Sequence, residues 1–376
     1  MKRILAVIFI LLSISCSKDV STEIDSLNSE TTKCNYKFKC SYDINILNDF
    51  GKGPIGCGSE TNPTKNPIGG GLGFYKDMSI ACISNKVYNT NELISAIKNA
   101  QDGDIIYLDD ESIFDLTNLP TIKVNNSIII MSGRGINNSN GALIIDKNQY
   151  LGNQKIANSK TSIFKISSNL VQFTGIRISG PHPNKIDPSI RSMAILINNS
   201  NCVEIENMEI ENFSHAAIAY VNSKNGYVHH NYIHNSQGIR LGYGVLLNGE
   251  SEVLIEANLF KDNRHDISGT GHLGQKYEAR YNLDLRNSTD NFSRSFDMHG
   301  RDEKNCASSS NVGGSTIVIH HNTFLDNRDE SILLRGHPQF GAWISNNIFP
   351  TSTREESLRQ PSCDIEQVYW NSNCFN

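Results

Sequence analysis

Three short stretches late in the chain concentrate groups that move protons or hold charge. They are Arg264-His265-Asp266, then Asp297-Met298-His299 with Arg301 close behind, then Arg335-Gly336-His337. Arginine neutralises carboxylates, histidine exchanges protons near neutral pH, and paired carboxylates shift each other's pKa or bind a cation. Tyr243 adds a phenol able to act as an acid, and Asn248 an amide. These residues are tens of positions apart, so they share a site only if the chain returns to one place at regular intervals.

A repeat supplies that return. An apolar residue is followed three places on by Asn, then two places on by Ile or Phe, in Val228-His-His-Asn231-Tyr-Ile233, Ile255-Glu-Ala-Asn258-Leu-Phe260, Ile319-His-His-Asn322-Thr-Phe324 and Ile344-Ser-Asn-Asn347-Ile-Phe349. Asn282 stands in a looser copy, and Ile176 and Met208 fill the same slot upstream. The slots at 176, 208, 231, 258, 282, 322 and 347 are separated by 32, 23, 27, 24, 40 and 25 residues. Such periods mean stacked units, and Val, Ile and Phe at period 2 mean strands rather than helical hairpins. The expected fold is all-β: a single-stranded right-handed parallel β-helix in which each coil buries its inner face against its neighbours. Asn at a fixed place fits a turn, where it tolerates left-handed backbone and stacks into a ladder about 4.8 Å per step. His229, His230, His320 and His321 precede the Asn and mark a turn face, so they are not read as ligands.

Aligning a second strand of each coil places Ile195, Ile218, Val245, Ile267, Met298 and Ile332 inward. The residues just before them, Ala194, Ala217, Gly244, Asp266, Asp297 and Ser331, then face out. Asp266 and Asp297 would stack about 5 Å apart on adjacent coils, able to hold a cation such as Ca²⁺. Upstream coils carry Ala, Leu and Val at these places, and the change to charge at Arg264 is abrupt.

The remaining chain frames this solenoid. Lys2 and Arg3, an apolar run from Ile4 to Leu12 and small residues before Cys16 form a secretory signal over 1–15. It resembles a bacterial lipoprotein signal, which implies acylation of Cys16 and a polar tether over 16–33. No apolar run after it is long enough to span a membrane, so contact with the membrane would be by the lipid alone, in the cell envelope, periplasmic or at the surface. Nine cysteines less Cys16 leave eight, an even number that favours disulfides in an exported chain, with Cys363 and Cys374 expected to pair. Residues 34–84 form a Cys-containing extension, 85–350 the β-helix and 351–376 a tail or cap. Thr90 is the candidate N-cap of a short amphipathic helix with Leu93, Ala96, Ile97 and Ala100 on one face, ended by Gly103 and followed by a strand at Ile105–Leu108. Such a helix would cover the open end of the stack. A net charge of −5 with scattered Lys and Arg gives no footprint for nucleic acid, and the chain is expected to be a monomer.

The helix, the Gly103-Asp104 pair and the strand resemble the start of the pectate-lyase-like right-handed β-helix superfamily. The resemblance covers roughly 85–350 as architecture, and it implies a polysaccharide partner and a polysaccharide lyase cleaving by β-elimination. In that chemistry a cation or Arg neutralises a uronate carboxylate, a base removes the adjacent proton and an acid protects the leaving oxygen. Arg264 and Arg335 would be the clamps, His265 or His299 the base and Tyr243 the acid, with Asp266, Asp297, Arg301, His337 and Asn248 as substrate contacts. A glycoside hydrolase using Asp266 and Asp297 is the alternative, and a non-catalytic glycan-binding surface protein is the third reading.

Overall fold

A computed structural model describes residues 40, 56–75, 82–147, 161–182, 191–285, 294–303, 310–327, 329–360 and 367–376. The signal segment, Cys16 and the tether lie outside these residues, as do Cys34, Cys306 and Cys363.

Short β-branched runs wind repeatedly through three faces. Among the described residues, sheet A has eleven strands, sheet B ten and sheet C nine, each strand parallel to its neighbour one coil away. The chain is a right-handed parallel β-helix. Its core is a set of stacked columns: Ile205, Val228, Ile255, Ala279, Ile319 and Ile344 are register partners along sheet A, and all are buried. Each buried Ile or Val contributes about 1.5–3 kcal/mol relative to an exposed one. The same stack continues into the C-terminal segment, where Val368–Asn371 pairs with Gly341–Ser345 and Cys374–Phe375 with Ile348–Phe349.

The Asn slots superpose at the turn from sheet A to sheet B. Each side chain donates to the next, Asn231 to Asn258 at 2.9 Å, Asn258 to Asn282 at 3.0 Å, Asn282 to Asn322 at 2.9 Å and Asn322 to Asn347 at 3.0 Å. The row ends on Asn373, a sixth Asn in the final coil. The left-handed residue of the turn is not the Asn but the one before it: His230, Ala257, Tyr281, His321 and Asn346 all have φ between 51° and 56°. The Asn is held there by its amide, which also donates to a core-strand carbonyl below, such as Ile255 O at 2.9 Å for Asn282.

The N-terminal helix spans Thr90–Asn99 and buries Leu93 and Ile97 on the first coils. Its cap is Asn89, one residue before the expected Thr90: Asn89 Oδ1 accepts from Glu92 N–H at 3.1 Å, and Glu92 Oε2 reaches back past the cap to accept from Tyr88 N–H at 2.8 Å. Residues 56–75 run along the Asn edge, with Gly58 N–H on Asn346 O, Gly69 N–H on Ala257 O and Gly71 N–H on Asn207 Oδ1. Two disulfides fasten this extension, Cys40–Cys202 and Cys57–Cys374, and Cys82 is also disulfide-bonded. The expected Cys363–Cys374 pair is thereby corrected. Cys374 is committed to Cys57, 317 positions away, because the extension returns the N-terminal region to the last coil.

Candidate active site

Sheet C positions the charged residues. Its strands Met193–Asn198, Ala216–Val221, Tyr243–Asn248, His265–Gly269, Phe296–Met298 and Ile332–Leu334 stack in that order. Ile195, Ile218, Val245, Ile267, Phe296 and Ile332 share one inward column. The expected register, with Met298 in that column, is two residues off. Phe296 and Met298 both face inward, and an apolar alternation cannot distinguish a two-residue slip, which leaves every side chain on its own face. Asp297 therefore lies outward in the column of Leu246, Ser268 and Leu333, and does not stack on Asp266.

Asp266 faces the interior. Its N–H (2.8 Å) and that of Ile267 (3.0 Å) both donate to the Ser295 carbonyl, the mark of a bulge that turns two consecutive residues inward. Asn263 Nδ2 donates to Asp266 Oδ1 at 3.0 Å, and Asp284, itself bonded by the Ser295 hydroxyl, is the next carboxyl group. Burial, then the Asp284 charge, raise the pKa of Asp266 well above its usual value, so this carboxyl is a core residue whose environment favours the protonated form. Asp266 and Asp297 thus share neither a column nor a face. They fit no common Ca²⁺ site, and the acid pair required by the hydrolase alternative is not formed.

What gathers instead is a cluster centred on Asp297, whose side chain has 0% exposure. Arg335 grips it with Nε on Oδ1 at 3.0 Å and Nη2 on Oδ2 at 2.7 Å. His299 Nε2 lies 3.2 Å and His265 Nε2 3.4 Å from Oδ2. Burial alone would raise the Asp297 pKa; the hydrogen bond from His299 and the Arg335 fork outweigh it and hold the carboxyl well below its usual range. His265 is fully buried, and burial lowers its pKa to about 4. Its Nδ1 donates to Arg294 O at 2.6 Å, so in the neutral ring it is the unprotonated Nε2 that faces Asp297. Tyr243 lies over His265 with rings nearly parallel and centroids 5.9 Å apart. Tyr243 donates to Arg240 O at 3.2 Å and accepts from the Arg264 guanidinium. Burial raises the Tyr243 pKa, so the phenol keeps its proton.

His299 is the reachable member, with a third of its side chain exposed and Nδ1 3.0 Å from Glu303 Oε1. Glu303, which also stands 3.8 Å from Arg335 Nη1, is absent from the sequence-derived set. Its signal was its place four residues after His299, at the start of the insertion over 301–314 that lengthens one step of the repeat to 40 residues. Arg301 and Asn248 line a neighbouring open groove of about 610 Å³ with His272 and Leu273 rather than joining the cluster. His337 is held through its backbone to Asn311 and Gly313 in the insertion. Below the cluster, the outward side of the sheet is apolar, with Met193, Ala216, Ala219 and Leu246 packed together.

The family described as right handed beta helix region matches residues 104–290 and 184–349. No curated protein matches the chain. Solved structures similar to it include an alginate lyase from Paenibacillus sp. str. FPU-7, with 13% identity and a TM-score of 0.44 over 77% of this chain and 98% of that one. The pectate lyase Pel9A has 10% identity and a TM-score of 0.46 over 78% and 77%. A pectin methylesterase from Aspergillus niger has 9% identity and a TM-score of 0.39 over 80% and 87%. With three parallel sheets wound coil on coil and the profile covering most of the helix, the chain belongs to the right-handed β-helix family.

Proposed function

We propose that the protein is an exported carbohydrate-active enzyme, a polysaccharide lyase that cleaves an acidic polysaccharide by β-elimination on the outer face of sheet C. One observation carries this reading. Tyr243, Arg264, His265, Asp297, His299 and Arg335 converge on four adjacent strands whose upstream neighbours are apolar. A solenoid needs no such cluster for its core, and gathering charge there costs stability that binding or chemistry repays.

β-Elimination needs three services, and the residues divide them. Arg264, beside the phenol, pairs with a uronate carboxylate and so acidifies the neighbouring C–H. His299 is the accessible base; a substrate displacing Glu303 from Nδ1 frees that nitrogen, while Asp297 keeps the ring oriented. Tyr243, kept protonated by burial, delivers a proton to the leaving glycosidic oxygen. Buried His265 and clamped Arg335 position Asp297 and Tyr243 rather than touch substrate.

The test is a panel of acidic and neutral polysaccharides, following ultraviolet absorbance from the new double bond together with reducing ends. The expected result is both signals on a uronate polymer. Reducing ends without absorbance would mean hydrolysis, and binding without either would mean a glycan-holding surface; each overturns the proposal.

A further inference from the structure

On sheet A, away from the Asp297 cluster, two carboxylates and an imidazole meet. His229 Nε2 lies 2.9 Å from Glu204 Oε1 and 3.4 Å from Glu206 Oε2, and the three donor atoms all fall within 4.8 Å of one another. Glu206 and His229 are buried, and Glu204 is partly so. Register joins them across two coils, with Glu206 the strand partner of His229. One ring nitrogen carries at most one proton, so it cannot serve two carboxylates equally. A divalent ion satisfies all three lone pairs at once. Donors about 2.1 Å from a tetrahedral ion stand roughly 3.4 Å apart, against 2.9 Å and 3.4 Å from His229 Nε2 to the two carboxylates here.

The chain holds its own control. Glu278, Arg280 and His320 occupy the same three positions three coils further on, with Arg280 the strand partner of His320. His320 Nε2 again meets the first carboxylate, Glu278, at 3.0 Å, and the ring again bonds the following histidine through Nδ1. There, however, the second carboxylate is replaced by a guanidinium. Arg280 reaches Glu256 at 2.6 Å and Glu278 at 2.8 Å, so this copy carries a built-in cation. The first copy has Glu206 where the second has Arg280.

The surroundings suit a ligating histidine. Gln172 Nε2 donates to Glu206 Oε1 at 3.1 Å and fixes that carboxylate. His229 Nδ1 is 2.8 Å from His230 Nδ1, and His230 Nε2 is 2.8 Å from Thr64 Oγ1. With Nε2 on a metal, Nδ1–H donates to His230, whose other N–H then reaches Thr64. This is the outer-shell arrangement that orients metal-bound imidazole. An imidazole with two carboxylates suits Zn²⁺ and its first-row neighbours, whereas Ca²⁺ takes oxygen donors.

We propose that Glu204, Glu206 and His229 form a Zn²⁺-class transition-metal site that staples two successive coils of sheet A and fixes the hydrogen-bonded contact to the N-terminal extension at Thr64. The test uses tag-free full-length protein, stripped with chelator and titrated with ZnCl₂ by calorimetry and thermal unfolding. Wild type should take up one ion per chain, with Tm rising by about 3 °C or more at saturation. Co²⁺ should give the visible absorption of a low-coordinate nitrogen–oxygen site. Glu206→Arg, which writes the second copy's residue into the first, should abolish both signals. Glu206→Gln, which changes charge without size, should weaken binding at least about tenfold, and it decides the matter if Glu206→Arg fails to fold. No uptake by wild type, or equal affinity in Glu206→Gln, would overturn the site.

Discussion

Arg335 and Asp297 meet on adjacent strands of sheet C through two parallel hydrogen bonds, 3.0 Å and 2.7 Å long, around a carboxylate with no solvent exposure. A fork of this kind is specific to arginine. Removing the guanidinium leaves a buried anion, so Arg335→Ala is expected to destabilise the fold by roughly 3–5 kcal/mol in urea titrations. Arg335→Lys, which loses the fork, should recover only part of that. Replacing both residues by Leu should restore more stability than Arg335→Ala alone; a double variant as unstable as the single would show that the pair is not the origin of the loss.

His299 is the better probe of catalysis, because a third of it is exposed and its loss strands no buried charge. His299→Ala should keep the wild-type Tm and reduce turnover on the uronate polymer by about 10² or more. Wild-type turnover would remove His299 from the chemistry.

Two kinds of buried group give stability opposite pH dependences. His215 and His182 have pKa values lowered to about 4 by burial. The unfolded chain therefore binds more protons between about pH 6.5 and 4, and stability present above the unfolded value is lost as pH falls through that window. Asp266 has its pKa raised, so its contribution is full below the unfolded carboxyl value and is lost as pH rises through the folded one. Asp266→Asn should therefore flatten the loss of stability as pH rises above the unfolded carboxyl value, and His182→Gln the loss as pH falls below about 6.5, by roughly 1.4 kcal/mol per pH unit for a full proton. Unchanged Tm–pH curves in both variants would contradict these assignments.

The Asn row makes Asn282 a sensitive position. Its amide donates to Ile255 O and Asn322 Oδ1 and accepts from both Asn258 groups. Asn282→Ala leaves buried partners unsatisfied, each at about 1–3 kcal/mol, so a loss of several kcal/mol is expected from chemical denaturation. A change under about 1 kcal/mol would show the ladder to be incidental.

Membrane attachment is proposed to depend on Cys16 alone. Cys16→Ala should move the protein from the membrane fraction to the soluble one, or leave the unprocessed precursor. Retention of fully processed protein on membranes would point to a different anchor.

What the sequence determined by itself was what repeats. A period of 23 to 40 residues, Asn in frame and alternating apolar residues fixed the stacked coils, the ladder and the sheet on which charge collects. They did so because each coil needs its neighbours and a buried amide needs a partner. Arg264, His265, Asp297, His299 and Arg335 were legible as one face for the same reason. Where the pattern broke, it failed. The bulge at Asp266 ends the alternation, and Phe296 and Met298 are equally apolar, so only the hydrogen-bond ladder could decide that Asp297 is the outward anion and Asp266 a core acid. Cys57–Cys374 and Thr64 on His230 join segments 317 and 166 positions apart. No local period encodes such contacts; they exist because the extension lies along the stack of coils.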